Sequence, residues 1–549
     1  MKEVLYTIAG KRLPVVFHIG ARALTSHSLN VHAGHDDVMG VSDCGWGMLF
    51  AKNAQEAADF ALIARRVAEE SHTPFMNVQD GFLTTHTIEN VDLPGEEIMR
   101  EYARNPHDMI KSHFDTGKPI STGVVQNQDS YMKGKIAQRW FTDRVPGHLD
   151  AAFAEYARLT GRKYGMVESF MLDDADYAIV GLGSAMETAM ATALWMRKER
   201  GLKVGVLNVT AFRPFPANEI VAALAKCKAI SIVERIDNPL AKDNPLTIEI
   251  KAAFADAAAG MGNVKIDKMP QFFSGSYGLG SRDTRAADFI AVVDNMMAKN
   301  GKHYFSLGIS HETALVRPAD PDIRPEGSFS MRGHSVGGYG SVTTNKVIAS
   351  LVADIFNLHV QAYPKYGSEK KGLPTTYYLT CAPVHILPHC ELEHVEFVPM
   401  NDVNAFNVGN PLDGLAQDGT IFIQTPKTDA DEVWNAIPRY AKDIIRKKNL
   451  RVMYLDTFAI SRAASSRVDL QQRMQGIVLL GVFLRVTPFA HKSNLSDEAL
   501  FAGVEKSLRK YFGKRGEQIV NDNLNAARRG YMEVMEVPAE VIAGVAEAV

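Results

Sequence analysis

FHIGARALTSHSLNVHAGHDDVMGVSDCGWGML, Phe17 to Leu49, is the stretch from which the fold and its chemistry are read. It is rich in Gly, Ala, Ser and His and poor in regular periodicity, which is how chain that brings backbone close to a ligand is composed. Arg22 stands in it among small residues. A planar guanidinium matches two carboxylate oxygens at once, so Arg22 is a candidate carboxylate anchor. A surface ion pair is the competing reading of the same residue. Downstream, AQEAADFALIARRVAEES has helical spacing, with Ala57, Ala61, Leu62 and Ala68 as the expected buried face. FMNVQDGF, Phe75 to Phe82, reads as a buried strand ending in an Asp-Gly turn. A buried strand after an amphipathic helix is the alternation of an α/β layer fold.

The bulk properties bound the rest. At 549 residues the chain is long enough for roughly three or four domains. Hydrophobic content of 46% and charged content of 22% are those of a soluble globular protein. A formal net charge of -3 offers no electrostatic case for nucleic acid or an anionic membrane. The longest apolar run, Gly476 to Leu484, falls far short of the roughly 20 residues that span a bilayer. A cytoplasmic location is expected. Cys44, Cys227, Cys381 and Cys390 are scattered without a CxxC pair, so no four-cysteine iron–sulfur motif is written in the chain.

Polar GVVQNQDSYMKGK, Gly123 to Lys135, reads as a long connection. Near Gly161 a second α/β unit opens: a strand at Tyr177 to Val180, the turn Gly181-Leu182-Gly183-Ser184, then a helix. The turn lacks the third glycine of a dinucleotide fingerprint, and close strand-to-helix packing is its simpler reading. KVGVLNV, RPFP (Arg213 to Pro216) and AISIVERIDNP continue the alternation, with Glu234 and Asp237 at a strand end. After a linker at Asn295 to His303, a third region reaches RGHSVGGYGSVTTNK. Gly333, Gly337, Gly338 and Gly340 precede a helix starting near Thr344, with Asn345 and Lys346 in its first turn. Bare N–H groups, a helix dipole and a lysine suit a phosphate, although no Walker loop is present and a flexible turn is the alternative. Lys365, Lys370 and Lys371 lie in a second basic loop. His385, His389, Cys390 and His394 do not fall on one helical face because Pro388 interrupts them, so no metal site is expected.

The opening stretch resembles the first domain of pyruvate:ferredoxin (flavodoxin) oxidoreductases. Gly20-Ala21-Arg22 followed by His27, Leu29, His35, Asp37, Gly45 and Met48 matches the family's GAR-HxL-HxD-GxxML pattern. The resemblance runs through nearly the whole chain. It implies three α/β domains: a truncated thiamine-pyrimidine-type domain over 1–160, a transketolase C-terminal-like domain over 161–297 closed by GSYGLGSRD, and a coenzyme A-binding gamma-type domain over 303–549.

By this resemblance Arg22 holds the 2-oxoacid carboxylate. Coenzyme A would contact Ser335, Val336, Gly337, Gly338, Tyr339, Asn345, Lys346, Ser368, Lys370 and Lys371, with Gln424 and Gln471 near family asparagines. The implied reaction is oxidative decarboxylation of a 2-oxoacid, pyruvate in the first place, with coenzyme A to acyl-CoA, carbon dioxide and reduced ferredoxin or flavodoxin. Thiamine diphosphate with magnesium and [4Fe-4S] clusters would reside largely on missing or partner domains. The family's YPITPSS-like turn, activating Glu, CxxCxxC and GDGxxxDIG motifs do not occur here, so the chain is expected to be a fragment or one component, inactive alone and dimeric in its assembly. The alternatives are a catalytically silent coenzyme A-binding or assembly module and a non-redox transketolase-like thiamine enzyme.

Overall fold

The computed structural model describes residues 2–110, 115–266, 268–336, 341–365, 374–402 and 404–544, which form two compact units. In the first unit (1–85, 91–323 and 387–390) helix Ala54–Ser71 starts where the Asn53 side chain accepts the Glu56 N–H at 2.9 Å. An N-cap of this kind satisfies a donor the helix itself leaves open. Phe60, Ile63, Ala64, Val67 and Ala68 are fully buried, whereas Ala57, Ala61 and Leu62 are only half-buried. Ala68 lies in the buried face as expected and Ala57 and Leu62 pack at its edge, but the face is centred on Phe60, Ile63, Ala64 and Val67. The helix is covered both by the strand that follows it and by helix Val145–Thr160, and even Asp59 is buried, bonded to Arg162, Tyr156 and Tyr164.

Strands Val16–Ala21, Phe75–Asp80 and Gly47–Ala51 run parallel in that spatial order, and Ala211–Arg213 adds an antiparallel edge. The second sheet has the order Tyr304–Ser306, Gln271–Ser276, Ala229–Glu234, Tyr177–Gly181, Val204–Val209, Val167–Phe170; only the last pairs antiparallel. Strands buried on both faces read as continuous apolar runs, as VGVLNV and AISIVE do. The two sheets share a core, in which Met48, Phe50, Met76 and Val78 pack with Val180, Leu207, Phe212 and Ile230. Tyr304–Ser306, which the sequence suggests as the opening of the third region, is the edge strand of this second sheet.

The expected connection at 123–135 contains a helix, Gln128–Ala137, none of whose residues is buried. Its apolar residues Tyr131, Met132 and Ile136 are all exposed, so no amphipathic stripe announces it.

The second unit (86–90, 324–386 and 391–549) is built on one mixed sheet, in the order Met535–Glu536, Arg451–Leu455, Leu415–Gln424, Val395–Met400, Phe329–Val336, Pro374–Ala382, His359–Lys365, Ile88–Glu89. Helices Ser341–Phe356 and Gln471–Val486 cover one face through Val347, Leu351, Ile477, Leu480 and Phe483. Val398, Ile421, Val433, Trp434 and Ile445 fill the core on the other face. The fold is α/β throughout. Among the described residues no helix is long and apolar enough to cross a membrane.

Candidate active site

Strand Val16–Ala21 delivers Arg22 to the carboxyl end of the first sheet. The chain turns there under tight control. Asp37 Oδ2 accepts the Arg22 N–H at 3.0 Å and Asp36 Oδ2 accepts that of Leu24, also at 3.0 Å. Burial raises both carboxyls above the usual range, against the pull of these N–H bonds. The acidic pair thus serves the backbone and leaves the guanidinium alone. Arg22 is exposed and makes no ion pair with a carboxylate among the described residues. Its Cζ lies 4.9 Å from the centre of the Phe82 ring, and the His32 ring lies 4.5 Å from the same ring. A Cβ on Gly81 would sit 2.6 Å from the Ala21 carbonyl oxygen and 3.3 Å from Arg22 Nε, so only glycine admits this approach. His27 and Leu29 are exposed on the same loop.

Asp80, the last residue of strand Phe75–Asp80, is the buried centre beneath this loop. His35 Nε2 donates to Asp80 Oδ1 at 2.7 Å. Ser184 gives Oδ2 both its N–H (2.9 Å) and its hydroxyl (2.6 Å), and Arg235 Nη2 lies 3.4 Å away. Burial pushes the Asp80 carboxyl up, but the Arg235 charge and the hydrogen bonds from His35 and Ser184 outweigh it and hold it well below the usual range. Gly183 adopts φ +77°, and a Cβ there would fall 2.9 Å from Asp80 Oδ2. The glycine turn before helix Ala185–Arg200 therefore receives a carboxylate of the protein itself, as its close-packing reading implies. Arg235 also donates to the Gly278 carbonyl oxygen at 3.0 Å, and its Cζ lies 4.8 Å from the Tyr277 ring. Asp80, Ser184 and Arg235 escaped the sequence reading. The signal available was the charged residue closing strand Phe75–Asp80 and the Glu234-Arg235 pair closing strand Ala229–Glu234, at the strand ends where α/β sheets bind ligands.

Glu234, next to Arg235, is fully enclosed and accepts from Leu246 N (2.7 Å), Thr247 N (2.9 Å) and Thr247 Oγ1 (2.8 Å). Burial pushes its carboxyl from 4.5 up to about 7, against those bonds. Between these values the folded protein holds a proton that the unfolded chain has released, so stability should fall as pH rises through the window, by on the order of 3 kcal/mol in all. Denaturation of Glu234→Gln across the same range should lack that decline; an identical pH profile would contradict the assignment.

In the second unit the residues expected at coenzyme A separate into groups. Ser335 and Val336 end strand Phe329–Val336, and Ser335 is 2% exposed. Asn345 lies buried in the first turns of helix Ser341–Phe356 and donates from Nδ2 to the Tyr378 carbonyl oxygen at 2.9 Å, while Lys346 beside it is exposed. Tyr378 pairs with Arg332 in the middle of its strand, so Asn345 is held away from the strand end that carries Ser335 and Val336. Gly337, Gly338, Tyr339, Ser368, Lys370 and Lys371 lie outside the described residues. The Gln424 amide is taken up internally, accepting the Thr457 N–H at 2.6 Å and donating to Asp456 at 3.3 Å. Gln471 opens helix Gln471–Val486, half-buried. His389 Nε2 lies 2.7 Å from Glu187 Oε2. No group of three His, Cys, Asp or Glu side chains among the described residues could hold a metal ion.

At the carboxyl ends of parallel strands of an α/β fold, an exposed arginine without a carboxylate partner among the described residues thus stands over a buried acid. Three family models match in chain order. They are "Pyruvate flavodoxin/ferredoxin oxidoreductase, thiamine diP-bdg" over residues 1–154, "Pyruvate:ferredoxin oxidoreductase core domain II" over 175–269 and "Pyruvate ferredoxin/flavodoxin oxidoreductase" over 330–533. The pyruvate-flavodoxin oxidoreductase of Trichormus variabilis is 30% identical over 530 residues, 95% of this chain and 43% of the relative. The pyruvate:ferredoxin oxidoreductase of Moorella thermoacetica is 29% identical, over 99% of this chain and 45% of its own length. This chain belongs to the pyruvate ferredoxin/flavodoxin oxidoreductase family, and it spans somewhat under half the length of these relatives. Among solved structures, pyruvate oxidoreductase subunit PORC of Thermotoga maritima aligns at 21% identity and a TM-score of 0.28, covering 38% of this chain and 99% of that one.

Proposed function

We propose that the chain is a component of a 2-oxoacid:ferredoxin or flavodoxin oxidoreductase, with pyruvate as its first candidate substrate. The overall reaction joins the acyl carbon to coenzyme A, releases carbon dioxide and passes two electrons to the acceptor protein. The observation that carries the reading is Arg22, exposed, without a carboxylate partner among the described residues, and fixed through its backbone by Asp37. A cation held in this way binds a carboxylate without first breaking an ion pair of its own. Because that carboxylate departs as carbon dioxide, the arginine gains most by orienting it and least by clamping it.

The second unit would bind coenzyme A at the end of strand Phe329–Val336, which carries Ser335 and Val336, with Asn345 and Lys346 on the helix that follows. Thiamine diphosphate supplies the carbanion chemistry in reactions of this type. We assign its magnesium-bound diphosphate and the iron–sulfur clusters mostly to partner domains or chains, with residues 1–154, which match the thiamine diphosphate-binding family model, contributing to the thiamine site. The three-domain division, a dimeric assembly and a cytoplasmic location belong to the same proposal.

Calorimetry of the full chain with coenzyme A tests the second unit's part. Binding should weaken as salt rises from 20 to 500 mM (~25-fold), because phosphates held by lysine and backbone N–H groups are screened. Salt-independent binding would place the phosphates elsewhere.

A further inference from the structure

Two residues that are not glycine hold left-handed backbone beside the Arg22 loop: Phe82 at φ +62° and Ser281 at φ +58°. For a side chain as bulky as that of Phe82 this conformation is a true outlier, kept only where the surrounding structure imposes it. Thr85 helps to impose it, since its Oγ1 accepts the Phe82 N–H at 2.8 Å. What the turn places is the phenyl ring, 4.9 Å from Arg22 Cζ and 4.5 Å from the His32 ring.

Ser281 acts on the other arm of the same loop. Arg22 and Ala33 form an antiparallel bridge, and Ala23 donates its N–H to the His32 carbonyl oxygen at 3.0 Å, so the loop 22–33 stands on two paired stems. Ser281 grips Ala33 twice. Its Oγ accepts the Ala33 N–H at 3.0 Å, and its own N–H donates to the Ala33 carbonyl oxygen at 3.2 Å. Ser281 belongs to the GSYGLGSRD segment at the end of strand Gln271–Ser276, to which the chemistry described above gives no task.

A carboxylate anchor has two needs that conflict: its plane must be fixed, yet its N–H edge must stay open. An ion pair would fix the guanidinium by occupying the donors that a substrate needs. An aromatic ring attracts the cation through its quadrupole and leaves the edge N–H groups for two carboxylate oxygens. A ring on one stem and a backbone clamp on the other satisfy both needs.

We propose that Phe82 and Ser281 are positioning residues for Arg22: the ring restrains the guanidinium, and the serine fixes the stem opposite it, so that the N–H edge meets an incoming 2-oxoacid carboxylate. This role rests on Arg22 as the carboxylate anchor of the proposed function and adds what aims it.

Steady-state kinetics of the chain assembled with its partner chains test it. Phe82→Leu should lower kcat/KM for pyruvate about two- to fivefold, the weight of an exposed cation–π contact, with the KM for coenzyme A unchanged. Phe82→Tyr, which keeps the ring, should match the parent. Should Phe82→Leu fail to fold, Phe82→Gly, which suits the left-handed turn, takes its place. Ser281→Ala should lower kcat/KM for pyruvate about two- to tenfold, the weight of one net hydrogen bond. Ser281→Asn, which tolerates left-handed backbone and restores an oxygen acceptor, should recover it. On an Arg22→Ala background both losses should vanish, because no guanidinium is left to aim. If Arg22→Ala lowers kcat/KM while Phe82→Leu and Ser281→Ala leave it unchanged, or lower it by the same factor on both backgrounds, the two are structural residues and the anchor stands without them. If Arg22→Ala itself changes nothing, the anchor fails and its positioning with it.

Discussion

Asp80→Ala should cost the first unit about 3–5 kcal/mol, the loss seen when one partner of a buried charge pair is removed. Arg235, 2% exposed, would keep its charge with, among the described residues, the Gly278 carbonyl oxygen and the Tyr277 ring to face. His35 and the Ser184 N–H and hydroxyl would lose their acceptor together. The Asp80 carboxyl is held below its unfolded value, so its contribution is complete above about pH 3.9 and drains away as pH falls below that. Chemical denaturation at pH 7 measures the loss. The double variant Asp80→Ala with Arg235→Met should be less unstable than the sum of the singles, because it removes the stranded charge. Additive effects would show that the two residues do not act as a pair.

Arg22→Ala, in an enzyme assembled with its partner chains, should lower kcat/KM for pyruvate ten- to a hundredfold, about 1.5–3 kcal/mol for a lost charged hydrogen-bonding partner. Its guanidinium is exposed and pairs with no carboxylate among the described residues, so stability should change by less than about 0.5 kcal/mol. Asp37 would still hold the backbone of the loop, since it bonds the residue 22 N–H whatever the side chain. This separates Arg22 from Asp80: one change should strike turnover and spare folding, the other should strike folding first. Unchanged kcat/KM for pyruvate would make Arg22 a structural residue.

Much of this arrangement was legible in the chain. Strand Phe75–Asp80 and its Asp-Gly turn follow from an apolar run ended by a residue pair that turns, and the structure ends the strand at Asp80. Helix Ala54–Ser71 is legible and Ala68 is buried as expected, but the buried face is wider than the alanines indicate, because Asp59 and Arg66 are also buried through ion pairs that hydropathy cannot register. Helix Gln128–Ala137 was missed since it buries nothing, and burial is what writes a periodic pattern. The Asp80 cluster was illegible for a different reason: His35, Asp80, Ser184 and Arg235 come from four separate elements that only tertiary folding brings within hydrogen-bonding reach. Arg22 could be singled out locally, whereas the use of Asp36 and Asp37 as backbone acceptors required the turn itself.

The proposed function requires a 2-oxoacid to meet this chain in a coenzyme A-dependent oxidation. The most direct measurement is ferredoxin or viologen reduction by the chain combined with its thiamine diphosphate-binding and iron–sulfur partner chains, with pyruvate and coenzyme A supplied singly and together. Rapid reduction only when both are present, with acetyl-CoA formed in proportion, is the predicted result. An assembled complex that forms no acetyl-CoA from pyruvate and coenzyme A, or that reduces its acceptor equally well without the coenzyme, would contradict it.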